Sequence, residues 1–146
     1  MNWRIITIGK PKLAYAADGM AEYLKRLGPF AKTEVVPIKP GRGETESDAL
    51  LSRSEGMLRV VLDERGQEFA SRAFAGKIRK WEQESVKSVA LLIGGSDGHS
   101  SKLRESADLV WSLGKMTLQH ELALLVVLEQ VYSAYSINHG LPYHRD

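Results

Sequence analysis

The chain has 146 residues, of which 43% are hydrophobic and 26% are charged, and its formal net charge is +2. This length is typical of one domain, and the charge is too small for a protein that wraps nucleic acid as histones do. The chain has no cysteine and no apolar run of about 18 residues, which excludes disulfides, thiolate metal sites, a cysteine nucleophile and a transmembrane helix. We expect a single domain over residues 1–146 in a cytoplasmic protein.

Apolar runs and helical periodicities alternate along the chain and predict five strands and five helices. The strands are expected at residues 3–8, 33–38, 59–63, 89–93 and 109–113, and the helices at about 14–27, 47–57, 72–84, 101–107 and 121–137. Because strand and helix alternate throughout, the pattern indicates an α/β fold, with a parallel sheet flanked by helices on both faces.

Individual residues refine this prediction. Pro37 cannot donate a hydrogen bond to a neighbouring strand, so the second strand is expected at an edge of the sheet. Residues 60–62 are uniformly apolar, as in a strand that is covered on both faces. A turn at residues 64–66 is expected to end that strand, and Ser71 is expected to cap the next helix.

Two buried strands each run into a glycine-containing loop. Residues 94–98 depart from the dinucleotide fingerprint at Ser96 and lack the Gly-Lys-Ser/Thr ending of a phosphate loop. Residues 113–118 mix apolar and polar side chains, which suits a loop that encloses an adenine. Ligands bind at strand ends in parallel sheets, so both loops are candidates for a nucleoside pocket. The alternatives are an ordinary glycine turn for the first loop and a plain connection for the second.

The histidines and carboxylates suggest no metal site. His99, His120, His139 and His144 show no helical i, i+4 pair, and no thiolate is available as a partner. His120 is expected to form hydrogen bonds at a helix start. Asp63 ends a strand, where a carboxylate contacts a ribose or caps the following turn.

The last predicted helix is almost wholly apolar from Leu122 to Leu128. Such a helix must be buried on most sides, either in the core or against another subunit. Glu129 lies within it and is expected to be paired or to lie at a subunit interface, because an unpaired buried carboxylate is costly.

The chain closes on Tyr143-His144-Arg145, which combines an aromatic ring, a titratable base and a phosphate-binding fork. Together with the strand-end loops, these groups suggest a cofactor pocket with an anionic substrate nearby, since the arginine fork can bind a phosphate bidentately. The alternative is a frayed terminus with no role.

Three motifs together resemble one family. They are Leu-Leu-Ile-Gly-Gly-x-x-Gly at 91–98, Leu-x-Lys-Met-Thr-Leu-x-His at 113–120 and Pro-Tyr-His-Arg at 142–145. With residues 7–10 and 22–26, they make the chain similar over its whole length to the SPOUT-class family of bacterial enzymes that methylate N3 of a pseudouridine in large-subunit ribosomal RNA. The resemblance implies an α/β fold with a C-terminal trefoil knot, a homodimer, S-adenosylmethionine as methyl donor, and 23S ribosomal RNA within the large subunit or ribosome as partner.

The resemblance also implies positions for the site. By motif match, the cofactor pocket falls on three strand ends and the loop after the last strand. The implied cofactor-binding residues are Leu62, Gly94, Leu113, Gly114, Lys115, Met116, Thr117 and Leu118. The helix at 121–137 would lie at the dimer interface, and Tyr143, His144 and Arg145 would reach the partner subunit's pocket or the RNA as catalytic residues.

One residue departs from the family pattern. Ser133 stands where the pattern has an arginine, which is a candidate for binding RNA or the target base. This departure is the main support for an alternative function, a non-catalytic dimeric protein that binds RNA or the ribosome. A nucleotide-dependent oxidoreductase is a third interpretation, which the incomplete dinucleotide fingerprint disfavours.

Overall fold

The computed structural model describes residues 1–94 and 99–145, in which strands and helices alternate. The strands are β1 (Asn2–Ile8), β2 (Lys32–Ile38), β3 (Leu58–Gln67), β4 (Ser88–Ile93) and β5 (Leu109–Trp111). The helices are α1 (Ala14–Leu27), α2 (Gly43–Arg53), α3 (Ser71–Gln83), α4 (Ser101–Glu105) and α5 (His120–Asn138). The prediction of alternating strands and helices is confirmed.

All strand pairs are parallel, and the sheet has the order β2-β1-β4-β3-β5. β2 lies at an edge, as Pro37 predicts. Parallel pairing points every strand in the same direction, so the loops that follow the strands share one edge of the sheet. That edge is called the carboxyl edge below.

Both faces of the sheet are covered, because side chains along each strand alternate between two apolar layers. Trp3 and Ile5 of β1 point into a layer formed with α1, α3 and α5. Ile6 and Ile8 point into the opposite layer, which includes Leu50 of α2 and Leu103 of α4. Coverage on both faces explains why the central strands are uniformly apolar in the sequence.

The expected turn at residues 64–66 is wrong, because β3 continues through it to Gln67. Leu62 and Gln67 both pair with Trp111, so the residues between them form a bulge. A Cβ at position 66 would lie 2.5 Å from the Val110 carbonyl group. The glycine that suggested a turn therefore permits a close approach of two backbones instead.

Two helix starts also differ from expectation. α2 begins at Gly43, four residues earlier than expected, and the Glu46 carboxylate accepts a hydrogen bond from the Gly41 amide at 2.9 Å. Ser71 does not cap α3, since its hydroxyl donates to Gln130 Oε1 on α5 at 2.8 Å. Ser100 does cap α4, accepting from the Leu103 amide at 3.3 Å. Tertiary contacts outweigh local capping preference at Ser71.

The apolar helix α5 is buried largely by its own chain. It packs between α1 and α3 on the sheet, and Leu124, Val127 and Leu128 are fully buried there. Its apolar composition therefore does not by itself require a second subunit. Within the described residues, no helix combines the length and apolar content that a membrane crossing needs.

A buried hydrogen bond joins the two ends of the chain. The Trp3 indole Nε1 donates to the Tyr135 hydroxyl at 2.8 Å, and both side chains are 1% exposed. Burial raises the pKa of the Tyr135 hydroxyl to about 12, which keeps it in the neutral form over the physiological range. The bond satisfies two polar groups that no water reaches.

We predict that Tyr135→Phe lowers the free energy of unfolding by about 1–3 kcal/mol, because the Trp3 N–H is left buried without an acceptor. Urea denaturation measures the change. Tyr15→Phe is the matched control, since Tyr15 is 53% exposed and its substitution should change the stability little. Equal effects of the two substitutions would contradict the prediction.

Candidate functional site

A cavity of about 340 Å³ opens at the carboxyl edge, beside the ends of β3, β4 and β5. This volume falls within the range of about 300–1,000 Å³ that small-molecule sites occupy. The cavity gathers seven of the eight positions assigned to a cofactor from the sequence. They are Leu62, Gly94, Leu113, Gly114, Met116, Thr117 and Leu118.

The loop from Leu113 to Leu118 forms one wall. Its start is held by Ser112, whose hydroxyl donates to the Gly114 carbonyl and accepts from the Gly114 amide, at 3.0 and 3.1 Å. Gly114 has a φ of +140°, which favours glycine. Among the described residues, nothing forms a hydrogen bond with the backbone amides and carbonyls of residues 115–118. These groups are open to a ligand.

Lys115, the eighth assigned position, does not line the cavity. Its neighbours Met116 and Thr117 do, although the Met116 side chain is 85% exposed. A large apolar side chain left in solvent beside a cavity is a candidate contact for a ligand or a partner.

Two charged residues, Asp63 and Arg104, also line the cavity, and of these only Asp63 had a role expected from the sequence, as a ribose contact or a cap of the following turn. Asp63 accepts a hydrogen bond from the Arg65 amide at 2.9 Å and pairs with Arg104 at 3.7 Å, and its side chain is 9% exposed. Arg104 also donates to the His99 carbonyl at 2.7 Å. The position of Asp63 at a strand end was the available signal, but α4, which brings Arg104, carried no motif.

His99 fills the space behind Gly94. A Cβ at position 94 would lie 3.0–3.2 Å from the His99 ring, so glycine is needed for this contact. Both ring nitrogens are buried and form no hydrogen bond of normal geometry among the described residues, although the Leu92 and Leu62 backbone groups lie close enough to favour the charged ring. Burial lowers the pKa of His99, against the opposing effects of the nearby Asp63 carboxylate and of these backbone groups, which raise it. The rest of the glycine-containing loop, residues 95–98, lies outside the described residues.

The first turn of α5 closes the cavity. His120 and Ala123 line it, while the cap of the helix is Gln119, whose side chain accepts from the Glu121 and Leu122 amides at 2.9 and 3.0 Å. His120 is therefore at the helix start, as expected, but does not cap it. Among residues 1–94 and 99–145, no three metal-binding side chains cluster together.

The chain terminus lies apart from the cavity, and none of Tyr143, His144 and Arg145 lines it. The Tyr143 hydroxyl donates to Glu129 at 2.7 Å and contacts the Tyr23 hydroxyl at 2.9 Å, and its ring packs on Tyr132. Burial and these two partners raise the pKa of Tyr143. The frayed-terminus alternative is wrong for Tyr143, and the expected pairing of Glu129 is confirmed.

Ser133 is a buried residue of α5, 2% exposed. Its hydroxyl lies 3.4 Å from His144 Nδ1, a weak hydrogen bond at most. The serine that departs from the family pattern thus lies under the terminal histidine.

Comparison with known proteins gives one consistent result. The family model described as predicted SPOUT methyltransferase matches residues 1–144. The ribosomal RNA large subunit methyltransferase H of Thermus thermophilus is 42% identical over 145 residues, covering 99% of each chain. The protein of the same name from Deinococcus radiodurans is 41% identical over 145 residues, again covering 99% of each chain.

Solved structures share the fold at low identity. A probable methyltransferase from Bordetella pertussis Tohama I has a TM-score of 0.62 at 16% identity and covers 91% of this chain and 95% of its own. The SpoU methyltransferase AviRb from Streptomyces viridochromogenes, in complex with the cofactor AdoMet, has a TM-score of 0.50 at 17% identity, covering 96% of this chain and 61% of its own.

We predict that His99 makes the fold sensitive to acid. The His99 pKa is lowered in the folded chain, so as the pH falls through about 6.5 the unfolded chain takes up a proton first. Above that pH the free energy of unfolding keeps its full value. Below it, the free energy of unfolding falls by about 1.4 kcal/mol for each pH unit until the pH reaches the pKa of His99 in the folded chain.

Urea denaturation between pH 7.5 and about 5 measures this loss. His99→Leu removes the titrating group and should flatten the curve in that window. The pKa of Glu121 is also lowered, chiefly by the hydrogen bond from the Leu13 amide, but its ordinary pKa of 4.5 places its effect at lower pH. Parallel curves for wild type and His99→Leu would contradict the prediction.

Proposed function

The chain belongs to the SPOUT methyltransferase family, and we propose that it transfers a methyl group from S-adenosylmethionine to N3 of a pseudouridine in 23S ribosomal RNA. The observation that carries the proposal is the cavity at the carboxyl edge, where residues of the motifs at 91–98 and 113–120 meet Leu62 at three neighbouring strand ends. The name of the Thermus relative supports a large-subunit ribosomal substrate, which the enzyme would meet in the cytoplasm.

The cavity suits S-adenosylmethionine in chemistry as well as in volume. The open backbone groups of residues 115–118 offer donors and acceptors for an adenine edge. Leu62, Ile93 and Leu118 supply apolar contacts. Asp63 offers a carboxylate for ribose hydroxyls. Gly94 and His99 both line the cavity, and a side chain at position 94 would have to displace the His99 ring.

When bound, the cofactor would supply an activated methyl group on a sulfonium. The remaining requirements fall on the protein, which must align the acceptor nitrogen with that methyl and help remove the N3 proton. We assign these roles to the terminus, with Tyr143 stacking on the target base, His144 accepting or directing the proton, and Arg145 holding a phosphate.

The distance of the terminus from its own cavity supports a homodimer. Tyr143 is held on α1 and α5 of its own chain, so the terminus would serve the cavity of a second copy or the RNA bound there. Leu13 and Tyr15, at the start of α1, are exposed apolar residues beside the start of α5, and we propose that they contribute to the shared face. The C-terminal trefoil knot of the family belongs to the same proposal.

Ser133 favours one alternative, a dimer that binds RNA or the ribosome without catalysing methyl transfer. If a family arginine at this position engages RNA, its absence removes that contact. In the proposed enzyme, Arg145 takes over the phosphate contact, and Ser133 lies beneath His144, with its hydroxyl 3.4 Å from the His144 Nδ1.

We predict that Gly94→Val weakens S-adenosylmethionine binding at least tenfold while the fold is retained, because the new side chain must displace the His99 ring, which also lines the cavity. Isothermal calorimetry measures the dissociation constant, and circular dichroism checks the fold. Gly76→Val is the control, since a Cβ there meets nothing within 4 Å. Adding His99→Ala to Gly94→Val should recover part of the affinity. Wild-type affinity in folded Gly94→Val would place the cofactor elsewhere.

We predict separate losses from His144→Ala and Arg145→Ala. His144→Ala should lower kcat for ribosome methylation by about 10²–10⁴-fold, with a shifted limb in the pH–rate profile and little change in KM. Arg145→Ala should raise KM and reduce the salt dependence of ribosome binding by about one unit of log–log slope. Arg79→Ala, on the exposed surface of α3, is the control. If both terminal variants have wild-type kcat and KM, His144 and Arg145 have no role in catalysis or RNA binding, and the prediction is contradicted.

A further inference from the structure

Two short loops occupy the half of the carboxyl edge that the cavity leaves free. Residues 9–13 follow β1, and residues 39–42 follow β2. The Gly9 amide donates to the Ile38 carbonyl at 2.6 Å, and Gly9 has a φ of +77°, a conformation that favours glycine. Gly9 also approaches Pro40, with the position of a Cβ only 3.5 Å from its ring. The loops are therefore held against each other.

Four cations project from these paired loops, and all four are exposed. They are Lys10, Lys12, Lys39 and Arg42. None of them forms an ion pair or a side-chain hydrogen bond with any residue in the described part of the chain. Their charges are therefore available to an outside partner.

The neighbouring carboxylates do little to neutralise this surface. Glu46 is 9% exposed and turns back to the Gly41 amide. Glu121 is 7% exposed, and its carboxylate accepts from the Lys12 and Leu13 amides. Glu44 is the acidic neighbour that stays exposed, at the first turn of α2.

The hydrogen bonds of Glu121 also make the loops continuous with the cavity. They attach the loop after β1 to the first turn of α5, where the adjacent His120 lines the cavity. A long anion that extended from the cavity toward the ends of β1 and β2 would therefore meet these four cations.

The opposite edge of the sheet is different. A pocket there is lined by Arg4 and Lys32 together with Glu34 and Glu55, so its charges are mixed. Arg4 is already paired with Glu34 at 2.7 Å. At the carboxyl edge, by contrast, Lys10, Lys12, Lys39 and Arg42 have no carboxylate partner among the described residues.

We propose that the loops after β1 and β2 form a phosphate-binding surface that holds the RNA strand or helix flanking the target nucleotide. This inference rests on the proposed function, because the methyl acceptor there is RNA. Lysine and arginine side chains on these two loops can bind phosphates whatever the RNA sequence is. The surface therefore sets the affinity for RNA and its orientation, while the cavity and the terminus select the nucleotide.

The test compares two double variants of the full chain. Lys10→Gln with Lys39→Gln removes two charges from the proposed surface. Lys32→Gln with Lys87→Gln removes two equally exposed charges near the opposite edge, where Lys87 lies beside the start of β1. Binding to purified ribosomes that lack the modification is measured from about 50 to 200 mM salt, and S-adenosylmethionine affinity is measured by calorimetry.

The double variant Lys10→Gln with Lys39→Gln, called the loop pair, should bind ribosomes roughly tenfold more weakly than the wild type. Its slope of log K against log salt should be shallower by about 1.5–2 units. The opposite-edge pair should match the wild type, and all three proteins should bind S-adenosylmethionine equally. Equal losses in both pairs, or an unchanged slope in the loop pair, would overturn the proposal. A loss of cofactor affinity in the loop pair would also overturn it, since the loops would then be shaping the cavity.

Failure of the proposed function gives a separate result. If the wild-type protein binds ribosomes but transfers no methyl group, the proposed methyltransferase activity is refuted. The difference in salt slope between the two double variants would still show whether the loops bind RNA phosphates.

Discussion

The parallel pairing of all five strands is the constraint on which the rest of the structure depends. Each parallel connection must cross the sheet, so helices cover both faces and every strand ends at the same edge. Leu62, Gly94 and Leu113 are separated by 19 or more residues between neighbours, yet they meet at one cavity because their strands end together. The basic loops after β1 and β2 share that edge for the same reason. The candidate cavity and the proposed RNA surface are therefore neighbouring parts of one edge of the sheet.

The order of helices and strands was predictable because burial on two faces leaves a strong pattern. Uniformly apolar residues mark β3 and β4, and Pro37 marks the edge strand. Predictions from local sequence were wrong where contacts with residues remote in the chain determine the local structure. Gly66 suggests a turn, but β3 continues through it because β5 approaches too closely for any other residue. Ser71 has a capping side chain, yet that hydroxyl is bound to Gln130 on a helix that is remote in sequence.

In the candidate site, too, some residues could be assigned from local sequence, whereas others depend on tertiary packing. The loop from Leu113 to Leu118 could be assigned because it follows a buried strand, and only Lys115 within it turns away from the cavity. His99 and Arg104 were not assigned, since their place beside Gly94 and Asp63 depends on how α4 packs. The residue types of the terminus indicated a function from the sequence alone, but the contacts that hold Tyr143 against the rest of the chain could not be predicted. Tyr143 is held by Glu129 and Tyr23, which lie 14 and 120 residues away in the chain.

The central claim is that this cavity presents a methyl donor to a pseudouridine of ribosomal RNA. The most direct measurement incubates the protein with ribosomes lacking the modification and S-adenosylmethionine labelled in its methyl group, then maps the label in the RNA by mass spectrometry. The account predicts one labelled nucleotide in 23S RNA, a pseudouridine methylated at N3, and loss of the label with Gly94→Val. Label on another base or in another RNA, or a folded protein that binds the cofactor and ribosomes without transferring label, would contradict it.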